Sequence, residues 1–199
     1  MIKNLNFVLC FFILLTSCRS IQKEEKTDSP MLALRDKVAF ELCELYGADQ
    51  SVRKTPGFEN KFNLAILPTD TVVFDRFIKV VKEYGYPTIE LVGEKNWKNE
   101  CVESSSVSIL LHNPHRLINN DEYMSLFLSE VEAGRMNREF LAAVLDKYYW
   151  VRRDEQGNKK LLYGSGFGKP CLKYRKESDA ARQEIGLEPL KESDFIQCK

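Results

Sequence analysis

The 199-residue chain has no excess of charge, no long apolar run and only two histidines, and each shortage excludes something. Its 29 basic and 29 acidic side chains cancel to a formal charge of zero. No global field therefore draws it to nucleic acid or to an acidic surface, and no nucleic-acid partner is expected. The longest apolar run, residues 7–15, is far short of the roughly 20 residues a spanning helix needs. The two histidines are His112 and His115. A His-x-x-His spacing can place two imidazoles on a metal when the backbone is helical, but Pro114 interrupts this one and a third histidine is lacking, so no metal site is expected; no cofactor is expected either. There is no Gly-x-Ser-x-Gly elbow for a serine nucleophile. Gly164-Ser165-Gly166-Phe167-Gly168-Lys169 lacks the rest of a phosphate loop, because Pro170 follows it in place of a helix; it reads as a flexible turn. No repeat, low-complexity tract or closely spaced cysteine pair is present. At 44% hydrophobic and 29% charged residues, the composition is that of a globular protein and excludes collagen-like, coiled-coil and wholly disordered chains.

What is present begins with an address. Lys3, the apolar run 7–15 and then Thr16-Ser17 form a secretory signal peptide over residues 1–17. Leu15-Thr16-Ser17-Cys18 has the pattern of a bacterial lipobox, in which the cysteine is acylated and becomes the new N-terminus. A secreted protein cut near Ser17 or Cys18 without lipid is the alternative. Residues 18–29 are polar and aperiodic, as expected of a lipidated, flexible tether, and residues 30–199 are long enough for a single core. The expected place is the bacterial cell envelope, lipid-anchored to a membrane and facing the periplasm or the surface. Cys43, Cys101, Cys171 and Cys198 would then meet an oxidising compartment. Their three possible pairings stay open; Cys43 also fits a small buried hydrophobe, and a Cys171–Cys198 bridge would tie down the chain end.

The hydrophobic pattern predicts a mainly α fold of about five helices with a short β-hairpin near the C-terminal third. After Ser29-Pro30, Leu34, Val38, Leu42 and Leu45 recur at helical spacing as far as Gly47. Residues 49–67 read as a loop. Thr69 caps a second helix along the stripe Val73, Phe74, Phe77, Val80, Val81 and Tyr84, ending at Gly85. A third runs from near Trp97 to His112 and stops before Pro114. Asn119 and Glu122 suggest a capping box for a fourth helix carrying Met124, Phe127, Leu128 and Val131. Beyond Gly134, a fifth starts at Met136 or Asn137 and carries Phe140, Leu141, Val144, Leu145 and Tyr148. Residues 150–163 change period around Gln156-Gly157-Asn158, which predicts the hairpin. A weak helix follows near residues 178–185.

Several landmarks fall between these elements in a recognisable order: Asp49-Gln50 with Arg53, Gly85-Tyr86-Pro87, Leu110-Leu111-His112 with Arg116, Asn137-Arg138, Asp146 and Tyr163-Gly164. Over residues 31–168 they resemble an uncharacterised bacterial helical domain-of-unknown-function family. The resemblance implies a helical fold in which a helix ending in histidine packs near the Asp-Gln-Arg element and a Tyr-Gly turn. The chain departs from that family at His112-Asn113-Pro114, where the family has His-Ala-Asp, and at Tyr163-Gly164-Ser165-Gly166, where it has Tyr-Gly-Thr-Gln.

Chemistry-bearing residues gather at predicted helix ends. His112 and Asp49 are the candidate acid–base residues, and Gln50, Arg53, Arg116, Arg138 and Tyr163 the candidate ligand-binding residues, because side chains from different helix ends can face one cleft. Ion pairs and caps that hold the helices in register explain the same charges. Ser108 and Ser105 stand one and two turns before His112 and read more simply as helix-packing residues. Arg152-Arg153 and Lys159-Lys160, close to Tyr148, Tyr149 and Trp150, could touch a nucleic acid or a phosphate headgroup, but the balanced charge favours a solvated rim. The leading expectation is an envelope lipoprotein that binds an unknown envelope protein or small molecule. The alternative is a small hydrolase or transferase acting on envelope material through His112 and Asp49.

Overall fold

A computed structural model describes residues 29–198, so the signal peptide, Cys18 and nearly all of the tether lie outside the described residues. The fold is helical. Its α-helices are α1 (Ser29–Lys54), α2 (Leu67–Tyr84), α3 (Ile89–Val92), α4 (Glu94–Trp97), α5 (Glu100–Glu103), α6 (Ser105–His112), α7 (Pro114–Ile118), α8 (Asp121–Glu132), α9 (Arg138–Trp150) and α10 (Arg175–Glu184). That is about twice the expected number, because runs that read as single helices are broken into short ones. The stretch leading to His112 is the clearest case. Gly93, at φ 79°, ends α3, and Asn99 and Ser104 then separate α4, α5 and α6.

Other boundaries moved for identifiable reasons. Helix α1 continues through Gly47 to Lys54, so Asp49, Gln50 and Arg53 are helical and not in a loop. An interior glycine costs roughly 1 kcal/mol relative to alanine, which the partners of Asp49 and Arg53 outweigh. A π-helical turn, Phe62–Ile66, leads directly into α2, so Thr69 lies inside the helix and Pro68 takes its first turn. Pro114 does end α6, yet it also opens α7. The cap of α8 is Asn120, one residue after the expected Asn119, and its side chain accepts from the Tyr123 amide at 3.1 Å. Asn137 caps α9 by accepting from the Phe140 amide at 3.0 Å.

One hydrophobic cluster runs through these helices. Leu42 and Leu45 of α1, Phe74 and Phe77 of α2, Ile109 and Leu110 of α6, Phe127 of α8 and Leu141 and Leu145 of α9 are all fully buried. Each such side chain contributes about 1.5–3 kcal/mol by leaving water. Phe77 stacks on Phe127 and meets the edge of Tyr86. Glu130 is buried beside this contact, where it accepts from the Tyr86 amide at 2.8 Å and from two Arg135 nitrogens at 2.6 and 2.8 Å. The Arg135 guanidinium holds the Glu130 carboxyl below its ordinary range.

The expected hairpin is absent. Between residues 150 and 163 there is one isolated antiparallel bridge, Arg153 to Lys159, and no strand ladder among the described residues. Asp154 takes over the turn instead, with one carboxylate oxygen accepting from the amides of Gln156 and Asn158 at 3.0 and 2.8 Å. A side chain that satisfies the turn amides removes the need for cross-strand pairing. The disulfides are Cys43–Cys101, joining α1 to α5, and Cys171–Cys198, closing the C-terminal segment.

Candidate functional site

The candidate site forms where α1, the first turn of α2 and the end of α6 meet. Asp49 faces inward from the extended part of α1 and is fully buried. His112 is the last residue of α6 and remains 30% exposed through its side chain. Asn113 fixes this helix end: its backbone amide bonds to the carbonyls of Ile109 and Leu110, and its side-chain nitrogen donates to Ile109 at 3.0 Å. The Asn113-Pro114 pair thus makes the tight junction that presents the imidazole.

His112 Nδ1 lies 2.9 Å from Asp49 Oδ1. An ionised carboxylate only accepts, so Nδ1 carries the proton and Nε2 is left as the basic atom. No group among the described residues is hydrogen-bonded to Nε2. Gln50 donates to the other Asp49 oxygen at 2.8 Å. Arg53, one turn further along α1, reaches Asp49 Oδ1 at 3.0 Å and the Asp49 carbonyl at 2.8 Å. Its second terminal nitrogen donates to both oxygens of Asp70 at 2.7 and 2.9 Å. Two buried carboxylates therefore share one guanidinium, and the imidazole completes the group. Burial raises the Asp70 carboxyl above its ordinary range, against the opposing pull of Arg53.

Four of the seven predicted site residues are thus brought together: Asp49, Gln50, Arg53 and His112. Arg116 is turned toward α2, pairs with Asp75 and lies 4.9 Å over the Phe74 ring. Arg138 donates to the Ile185 carbonyl at 2.9 Å and so caps α10. Gly186 is required there: its φ is +74°, and a Cβ would stand 1.7 Å from the Arg138 guanidinium. Tyr163 is buried in the core cluster, where burial pushes its hydroxyl well above the ordinary range; it makes no hydrogen bond to His112 among the described residues. These three missed the cluster because a position at a helix end says nothing about the direction in which the end faces.

Asp70 is the member that sequence reasoning missed. Following Pro68-Thr69, it looks like an ordinary acidic residue complementing a helix N-terminus, and only the packing of α2 on α1 buries it. The serines play no part in the pair. Ser105 is buried and donates to the Val102 carbonyl at 2.9 Å, and neither it nor Ser108 is hydrogen-bonded to His112 among the described residues. His115 lies one turn on, in α7, where burial holds its imidazole below the ordinary range. No group of three or more metal-binding side chains occurs among the described residues. The glycine-rich turn after Tyr163 is also spoken for. The amides of Leu162, Tyr163 and Ser165 all donate to Asp146 of α9, at 2.9, 2.9 and 3.0 Å, so part of the turn binds an internal carboxylate.

No family model matches the chain, and neither the curated proteins nor the solved structures contain a significant match to it. The functional reading therefore rests on the site.

Proposed function

We propose that the chain is a lipid-anchored protein of the bacterial cell envelope in which His112 and Asp49 form an acid–base pair, and that it acts as a small hydrolase or transferase on envelope material. The observation that carries this is the 2.9 Å bond between a fully buried carboxylate and a partly exposed imidazole. Asp49 sets the tautomer, and Nε2 takes a proton from a water or hydroxyl nucleophile and returns it to the leaving group. Asp49 stabilises the imidazolium formed in between. Gln50 and Arg53 keep the carboxylate from rotating away.

A binding or interaction module is the second reading. It is favoured by the lack of any hydroxyl or thiol bonded to His112 among the described residues, and by the full pairing of Arg53 with Asp49 and Asp70. A screen on cell-wall sugars, peptides, phosphoesters and acyl esters separates the two. On the enzymatic reading, at least one substrate turns over, and His112→Gln slows it by about a hundredfold or more while leaving the melting temperature nearly unchanged. Glutamine can still donate to Asp49, so a large stability loss with unaltered turnover would leave His112 a structural role only. A stable partner captured without any turnover would favour the module.

The anchor has its own test. Cells fed a palmitate analogue should label the wild-type chain at Cys18, and label that persists in Cys18→Ala would refute acylation there.

A further inference from the structure

The balanced composition conceals a segregation of charge. Residues 147–176 contain nine basic and two acidic side chains, a formal +7 within a chain whose total is zero, so all other residues together carry −7. One of the two acidic groups, Asp154, is already engaged by Lys173 at 2.6 Å and by the Tyr174 hydroxyl at 2.7 Å. Four of the nine basic side chains, Arg152, Arg153, Lys159 and Lys160, lie in the turn over residues 151–160, and Arg152, Arg153 and Lys160 are exposed there. Aromatic rings line its base. Lys147 and Lys159 both lie over Trp150, at 4.4 and 4.6 Å from the ring centre, and Phe167 packs 5.9 Å from that ring. Arg152 covers Tyr148, while Lys160 and Lys173 share Tyr174. Beside the rings, Val151 is 59% exposed.

We infer that this basic, aromatic-based turn is a membrane-contact element that rests on anionic phospholipid headgroups. Three observations point to that occupant. First, the single bridge places Arg153 opposite Lys159; like charges in that position repel, and phosphates between them would relieve the repulsion. Second, cations above half-exposed aromatic rings, next to an exposed valine, match the interfacial zone of a bilayer, where the rings sit at headgroup level and the charges meet phosphate. Third, the −7 carried by the remaining residues disfavours contact through other faces, so an anionic surface would orient the domain with this turn downward. The tether expected at Cys18 would hold the domain close to such a surface, yet the turn acts by charge and does not require the lipid.

The test is sedimentation of the chain from residue 19 onward, without lipid, with vesicles of phosphatidylcholine alone or containing 30% phosphatidylglycerol. Binding is expected to the anionic vesicles only, and to be lost in about 0.5 M salt, where the Debye length shrinks to a few ångströms. Each basic side chain near an anionic surface contributes roughly fivefold in affinity. Arg153→Glu with Lys159→Glu should therefore weaken binding more than about a hundredfold, and Arg152→Gln with Lys160→Gln, which leaves the bridge intact, about tenfold or more. The same four-unit charge change at Lys95 and Lys98, outside the turn, should alter it less than about twofold. Equal binding to both vesicle types, no binding, an equal loss from the Lys95 and Lys98 changes, or tighter binding to duplex DNA than to the anionic vesicles would each overturn the inference. Because the protein tested has no lipid, failure of acylation at Cys18 would leave this result unaffected.

Discussion

Asp146→Ala is expected to destabilise the fold by about 3–5 kcal/mol, since removing a buried carboxylate strands the three backbone amides it serves. Asp146 is fully buried, and its two oxygens serve three backbone amides from one turn. Alanine would leave those donors facing a void, each costing about 1–3 kcal/mol if it found no water. That turn holds more than itself. Ser178 of α10 donates to the Leu162 carbonyl and Arg182 to the Tyr163 carbonyl, so the C-terminal segment docks on the loop that Asp146 organises. Urea denaturation should show the loss, along with a fall in melting temperature of roughly 10 °C, at about 2–4 °C per kcal/mol for a domain of this size. Asp146→Asn keeps one carbonyl oxygen and should recover part of the stability. A loss below about 1 kcal/mol for alanine would mean that the turn stands without the carboxylate.

Removing the Cys43–Cys101 bridge through a double alanine substitution should cost about 4 kcal/mol, by the chain-entropy relation for a long closed loop; the two cysteines are 58 residues apart. The bridge matters because α3, α4 and α5 are each a single turn of four residues, too short to be stable alone. They are held against α1 by the disulfide and by the burial of Val92 and Val102. Denaturation of the oxidised wild type beside the double variant measures the difference. A gap under about 1 kcal/mol would show that packing alone secures this run.

The long helices were legible because their apolar residues repeat at the helical period. In α2, Val73, Phe74, Phe77, Val80 and Val81 form the expected stripe and are all buried. Capping was less clear: the α8 cap shifted from Asn119 to its neighbour Asn120, and Thr69, expected to cap the second helix, lies inside α2. Gly47 misled because a glycine that breaks an isolated helix can be overruled by side chains beyond it. The stretch before His112 misled because periodicity does not register a short turn that keeps the apolar face aligned. The expected hairpin failed at Asp154, whose carboxylate satisfies amides that a strand pair would have used.

The site divides along the same line. Sequence placed His112 at a helix end and marked Asp49, Gln50 and Arg53 as a polar group worth watching, since residue type and helical register are local properties. It could not orient Arg116, Arg138 or Tyr163, and it gave no reason to single out Asp70. Chain order by itself determined the helical class, the main apolar faces, the helix stop at Asn113 and the balance of charge. Tertiary structure alone decided which cysteines pair, that Asp49 meets a histidine 63 residues away, and that Asp146 binds the amides of the turn after Leu161. The reason is physical: a hydrophobic stripe follows from spacing within one element, whereas a buried ion pair depends on the rotation and crossing of several helices, which only their shared packing sets.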